Sequence, residues 1–143
     1  MLKRRKFSHS ERDFILQRAN GCCEYCLIPY DFTPETFENE HIIPLFLNGT
    51  NEMSNLAFAC GGCNGKKNKK TSAIDTLTGL LVSLYNPRED IWAEHFKWQE
   101  GFLILEGITP KGRASVDLLK LNRRGIVNLR SALYLIGVHP PKF

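Results

Sequence analysis

Cys23-Glu24-Tyr25-Cys26 and Cys60-Gly61-Gly62-Cys63 frame 33 residues, and inside that frame stands Glu40-His41-Ile42-Ile43-Pro44. A Cys-x-x-Cys turn aims two thiolates at one tetrahedral ion, and two such turns complete a Cys₄ shell. The spacing predicts one structural Zn²⁺ held by Cys23, Cys26, Cys60 and Cys63. Iron on the same four sulfurs is the rival. A redox pair fits poorly, because no strand–motif–helix context surrounds either turn and such chemistry needs only one. A closed shell has no open position, so this ion does no chemistry itself. The gap between the turns is longer than a simple zinc ribbon needs and leaves room for a functional insertion. Using Cys22 would break the spacing, so it reads as a free or packed thiol.

Outward from the frame, local signals place the elements. Ser8 and Glu11 form a capping box and Gly21 is a stop, which predicts a helix over about 9–20. Residues 37–44 and 56–59 read as short strands, with a loop at Asn48-Gly49-Thr50-Asn51. A knuckle at Cys60 continues as a short helix. After a connection at 71–78, Leu80 to Tyr85 reads as a strand ended by Asn86-Pro87. Trp92, Phe96 and Trp98 share parity and so one strand face. A return strand is predicted over 102–108. Stacking on bases is the other reading of these three aromatics. Thr109-Pro110 opens a helix, and a last helix runs over about 124–136 on Ile126, Leu129, Leu133 and Ile136.

The bulk properties suit one soluble domain. The chain has 143 residues, 43% hydrophobic and 24% charged, enough to bury a core. No apolar run approaches the ~20 residues of a membrane span. The basic start, Lys3-Arg4-Arg5-Lys6, precedes no long apolar stretch, so no secretory signal is expected and the cytoplasm is the expected compartment. Five cysteines in such a chain argue against a disulfide scaffold. The net charge of +4 is modest, but its distribution is informative. Besides the N-terminal cluster, Lys66, Lys67, Lys69 and Lys70 follow the second knuckle, and Lys120, Arg123, Arg124 and Arg130 form a third group. Such clusters bind phosphates by charge and counterion release; a solvated, solubilising face is the bland alternative.

The order Glu40-His41, then Asn55, then Cys63-Asn64-Gly65-Lys66-Lys67, between paired knuckles, resembles the HNH nuclease family in its zinc-stabilised ββα-metal form. The resemblance covers about residues 22–70. It implies that His41 is the general base, which suits imidazole because its pKa lies near working pH. It implies that Glu40 and Asn64 hold a catalytic Mg²⁺ or Mn²⁺, and that Asn55 braces the loop that keeps the His41 ring in place. Glu40 departs from the commoner Asp, and Asn64 stands where a His gives the family its name. Taken alone, His41 reads as a packing residue, Asn55 as a turn residue and Glu40 as a solvated charge. Asn86-Pro87-Arg88, Trp92-x-x-His95-Phe96-x-Trp98, Gly107-x-Thr109-x-x-Gly112-Arg113 and Leu121-Asn122-Arg123 resemble the C-terminal part of a subgroup of small stand-alone HNH proteins.

The sequence thus predicts a single α+β domain over 1–143. A small ββα-metal core with a Cys₄ zinc occupies about 22–70, and a C-terminal β-hairpin with helices occupies about 71–143. The expected activity is metal-dependent hydrolysis of DNA phosphodiester bonds, with Lys66, Lys67, Lys69 and Lys70 on the DNA. The alternatives are a non-catalytic zinc module that binds nucleic acid, and a protein-binding zinc adaptor. The sequence is silent on oligomeric state.

Overall fold

Ser8 Oγ accepts from the Glu11 backbone N–H at 3.1 Å, and the Glu11 carboxylate accepts from the Ser8 N–H at 2.9 Å. This reciprocal cap contributes about 1 kcal/mol and opens α1 (His9–Arg18) in a computed structural model that describes residues 2–142. The sequence carries the helix to about residue 20. The structure ends it at Arg18, because Asn20 and Gly21 both take positive φ. The helix lays Ile15 and Ala19, with Phe7, against Leu56 and Phe58.

Those two residues lie on β2 (Leu56–Cys60), which pairs antiparallel with β1 (Phe37–His41) so that Glu40 faces Ala57 and His41 faces Leu56. Every residue of β2 is buried. Leu56 and Phe58 meet α1, whereas Ala57 and Ala59 meet the cysteine knuckles and the C-terminal half. A strand covered on both faces reads as an unbroken apolar run. β1 ends three residues before Pro44, short of the predicted span, because the chain there turns into a loop clamped by Asn55. Cys60 then caps α2 (Gly61–Lys67), completing strand, strand and helix.

The C-terminal half adds β3 (Ser72–Ile74) and β4 (Leu81–Ser83), an antiparallel hairpin. β4 is the core of the strand predicted at 80–85, and β3 lies in the predicted connection. The aromatic stretch departs from prediction. Trp92–His95 is one helical turn, α3, and β5 begins only at Phe96 (Phe96–Trp98). A spacing of four satisfies both a strand face and a helix face, and the turn still brings Trp92 within 5.7 Å of Phe96 and 6.0 Å of Trp98. The return strand shrinks to β6 (Leu105–Gly107), since Gly101 and Phe102 take positive φ in the turn. Thr109 Oγ1 caps α4 (Pro110–Leu118) through the Gly112 N–H at 3.0 Å. α4 crosses β6 where Gly107 meets Gly112; a Cβ on Gly107 would sit 2.3 Å from Arg113 N. The last helix is α5 (Arg124–Leu135).

The two halves share one hydrophobic core. Cys23, Tyr25, Ile28, Ala57 and the other cysteine ligands pack with Phe96, Leu105, Leu119, Leu121 and Ile126. Among the described residues no helix is long and apolar enough to cross a membrane.

Candidate active site

The four knuckle cysteines converge. Their Sγ atoms all lie within 4.8 Å of one another and all four residues are buried. A tetrahedron with Zn–S bonds of about 2.3 Å requires sulfurs about 3.8 Å apart, and Cys26 Sγ lies 3.7 Å from Cys60 Sγ. The Cys63 N–H points at Cys60 Sγ at 3.4 Å. Burial pushes the Cys23 and Cys26 thiols well above their ordinary pKa. Left alone those thiols stay protonated; a cation bound among the four sulfurs would displace the protons, and this donor set fits zinc.

Cys22 is buried but outside the cluster, with its Sγ near the Asn20 carbonyl and its pKa pushed by burial to about 11.

The C-terminal motifs surround the cluster. Arg123 donates from Nη1 to Cys63 Sγ and from Nη2 to Cys60 Sγ, both at 3.5 Å. Burial opposes its charge, but the Cys63 and neighbouring sulfurs hold its pKa above the ordinary value. Zinc with four thiolates carries a formal charge of −2, which Arg123 partly offsets. Arg130, fully buried, donates to the carbonyls of Cys26 and Leu121 at 3.1 and 2.8 Å. Asn122 holds Leu105 through both its N–H and its C=O at 2.8 Å. Arg88 pairs with Glu24 of the first knuckle, whose other oxygen accepts from the Phe58 N–H. The basic group read as Lys120, Arg123, Arg124 and Arg130 therefore divides. Arg123 and Arg130 are structural donors to the zinc knuckles.

The insertion between the knuckles forms a second centre. Glu40, His41 and Asn64 line one cleft of about 400 Å³, together with Lys3, Arg4 and Lys69. Glu40 and His41 come from the end of β1, and Asn64 from the first turn of α2. The Glu40 side chain is almost wholly buried. Its Oε1 accepts from the Tyr25 hydroxyl at 2.8 Å and lies 3.2 Å from Lys67 Nζ. Burial raises its pKa, against the opposing pull of Lys67 and Tyr25. No side-chain partner among the described residues engages Oε2 or the Asn64 amide. A carboxylate oxygen and an amide oxygen at one cleft are hard donors of the kind Mg²⁺ or Mn²⁺ accepts.

Asn55 clamps the loop after β1. Its Oδ1 accepts from the Ile43 N–H, and its Nδ2 donates to the Ile43 and Thr50 carbonyls, each at 2.9 Å. Among the described residues it makes no hydrogen bond to the His41 ring. That ring is bonded through Nε2 to Asn51 Oδ1 at 2.8 Å. In the sequence Asn51 is only part of a loop signal, and nothing there distinguishes it from Asn48. Tyr25 likewise reads as a knuckle filler.

The lysine run needs one correction. Lys66, Lys69 and Lys70 are exposed, and Lys69 sits over the Phe46 ring at 5.5 Å. Lys67 is 1% exposed and donates to the Ile42 carbonyl at 2.9 Å besides facing Glu40. It faces inward because α2 carries it over the end of β1, and it cannot reach a phosphate.

Comparison with known families agrees with the frame. Residues 23–70 match the HNH endonuclease family. The match begins at the first knuckle cysteine and closes on the last lysine of the run, so it takes in the four cysteines, Glu40, His41 and Asn64, and the lysine run. No curated protein and no solved structure matches the chain. The two knuckles of the matched segment are tied to the C-terminal half through Arg88, Arg123 and Arg130.

Proposed function

We propose that this chain is a metal-dependent endonuclease that hydrolyses DNA phosphodiester bonds. The observation that carries the reading is the meeting of Glu40, His41 and Asn64 at one cleft beside exposed basic residues. Binding alone does not need those three groups there. His41 Nδ1 has no protein partner among the described residues and takes the proton of an attacking water. The water oxygen attacks phosphorus, and the bond to the 3′ oxygen breaks, leaving 3′-hydroxyl and 5′-phosphate ends. A divalent ion held by Glu40 and Asn64 would supply charge stabilisation to the phosphate and the leaving oxygen. Asn55 keeps the loop after His41 from shifting, and Lys69, Lys3 and Arg4 hold the backbone by charge.

One observation favours a second reading, a zinc module that binds DNA without cutting it. Lys67 already balances the Glu40 charge, so the carboxylate has a structural use without a metal. Incubation with supercoiled plasmid and Mg²⁺ or Mn²⁺ separates the two. Nicking that disappears in His41→Ala supports the nuclease. A wild-type protein that binds DNA and cuts none of it under either metal supports the binding module.

A further inference from the structure

The arm that precedes α1 reaches back to the cleft. Asn51 Nδ2 donates to the Lys3 carbonyl at 2.9 Å. A carbonyl only accepts, so the amide nitrogen must face the arm and the amide oxygen must face His41. Oδ1 lies 2.8 Å from His41 Nε2. An amide oxygen also only accepts, so Nε2 carries the hydrogen and Nδ1 carries the lone pair. A flipped amide would set Oδ1 against the Lys3 oxygen. Phe7, buried, packs its ring 6.4 Å from the imidazole, tilted by 44°. The Arg5 guanidinium lies over the Phe7 ring, 4.6 Å from its centroid. One segment, Lys3 to Phe7, therefore fixes both the tautomer and the plane of His41.

We propose that Asn51 is the positioning residue of His41, and that the N-terminal arm sets Asn51 through the Lys3 carbonyl. The proposal rests on the reading of His41 as the base. It adds that base strength is delivered at Nδ1 because Asn51 occupies Nε2. Asn51 is not among the residues that line the cleft. Its loss leaves DNA affinity alone and lowers turnover, because the imidazole rotates and populates both tautomers. Partners of this kind typically contribute about 10–100-fold.

The test uses full-length protein labelled with ¹⁵N-histidine. Signals are assigned with His41→Ala, and folding is checked by zinc content and melting. Wild type should show a protonated Nε2 and an unprotonated Nδ1 at His41. Asn51→Ala should move both shifts toward a tautomer average, lower kcat about 10–100-fold and leave KM unchanged. Asn51→Asp keeps an acceptor on Nε2 but loses the donor to the Lys3 carbonyl, so it should retain the tautomer and only part of kcat. Asn51→Ala with unaltered shifts would overturn the proposal, whatever its activity. A wild-type protein that cuts no DNA removes the base reading. The ¹⁵N shifts then still decide whether Asn51 holds the ring.

Discussion

Lys67 Nζ lies 3.2 Å from Glu40 Oε1, with 1% and 4% of the two side chains exposed. The pair ties α2 to the end of β1, and the Lys67–Ile42 bond reinforces it. Breaking a buried ion pair by removing one partner leaves an uncompensated charge and costs about 3–5 kcal/mol, whereas replacing both can be nearly neutral. Lys67→Met should therefore destabilise strongly, and Glu40→Gln with Lys67→Met should recover most of the loss. Urea unfolding of the single and double variants measures this. Additive losses would mean that the two side chains do not act as a pair.

Zinc should be present at one ion per chain, and Cys60→Ser should lose it and aggregate. Cys22→Ser should change neither zinc content nor melting, since its sulfur lies outside the cluster. Arg123→Gln should fold and bind zinc about 10–100-fold more weakly, because its two N–H···S bonds are gone. Chelator competition reads that affinity. An unchanged zinc affinity in Arg123→Gln would reduce this arginine to packing.

The burial of Lys67 sharpens the expectation for DNA. Neutralising Lys66, Lys69 and Lys70 should weaken binding with little sequence dependence. It should flatten the plot of log K against log salt by about 0.9 for each phosphate that is no longer neutralised. A slope unaltered by the triple substitution would move the DNA track to another face.

Much of the site is legible in the sequence because its residues are chemically committed. Four cysteines at knuckle spacing have one good use, and Glu40-His41 with Asn64 gains meaning from lying between and beside them. The cap at Ser8 and the start at Thr109-Pro110 are equally plain, since both depend on local hydrogen bonds. Asn51, Tyr25 and Arg123 are not legible. Each acts across the fold, on His41, Glu40 and the cysteine sulfurs, and even the Leu121-Asn122-Arg123 motif gives no sign of what Arg123 touches. Lys67 reads as a DNA-facing residue because a run of lysines gives no clue to which one the helix turns inward. The stretch from Trp92 to Trp98 reads as one strand because alternation and helical spacing coincide at four residues.

Acid should cost the C-terminal half stability through Asp75. This buried carboxylate takes two bonds from Arg113, both at 3.0 Å, and a third from Thr78. The Arg113 guanidinium holds its pKa well below the ordinary range. A depressed carboxylate pKa adds stability above the unfolded value of about 4, and that stability is lost as pH falls toward the folded value. Asp75→Asn should be less stable than wild type at neutral pH, with the difference shrinking below about pH 4. Melting followed from pH 7 to pH 3 tests this. A gap that stays constant across the range would remove the linkage to Asp75.

The catalytic reading makes two residues fail in different ways. His41 moves a proton, so His41→Ala should abolish nicking while sparing zinc, fold and DNA affinity. General-base catalysis contributes about 10²–10⁴-fold, which leaves a small residual rate. On the same reading Asn64 would supply a neutral oxygen to a cation, so Asn64→Ala should weaken metal affinity and regain activity as Mn²⁺ is raised. No concentration of Mn²⁺ should restore His41→Ala, because a metal ion cannot replace the missing proton acceptor at that position. Nicking rates over a metal titration for the three proteins, each checked for zinc, make the comparison. If Asn64→Ala and His41→Ala respond alike to Mn²⁺, the division of labour between the strand and the helix is wrong. If His41→Ala cuts at the wild-type rate, the base lies elsewhere in the chain.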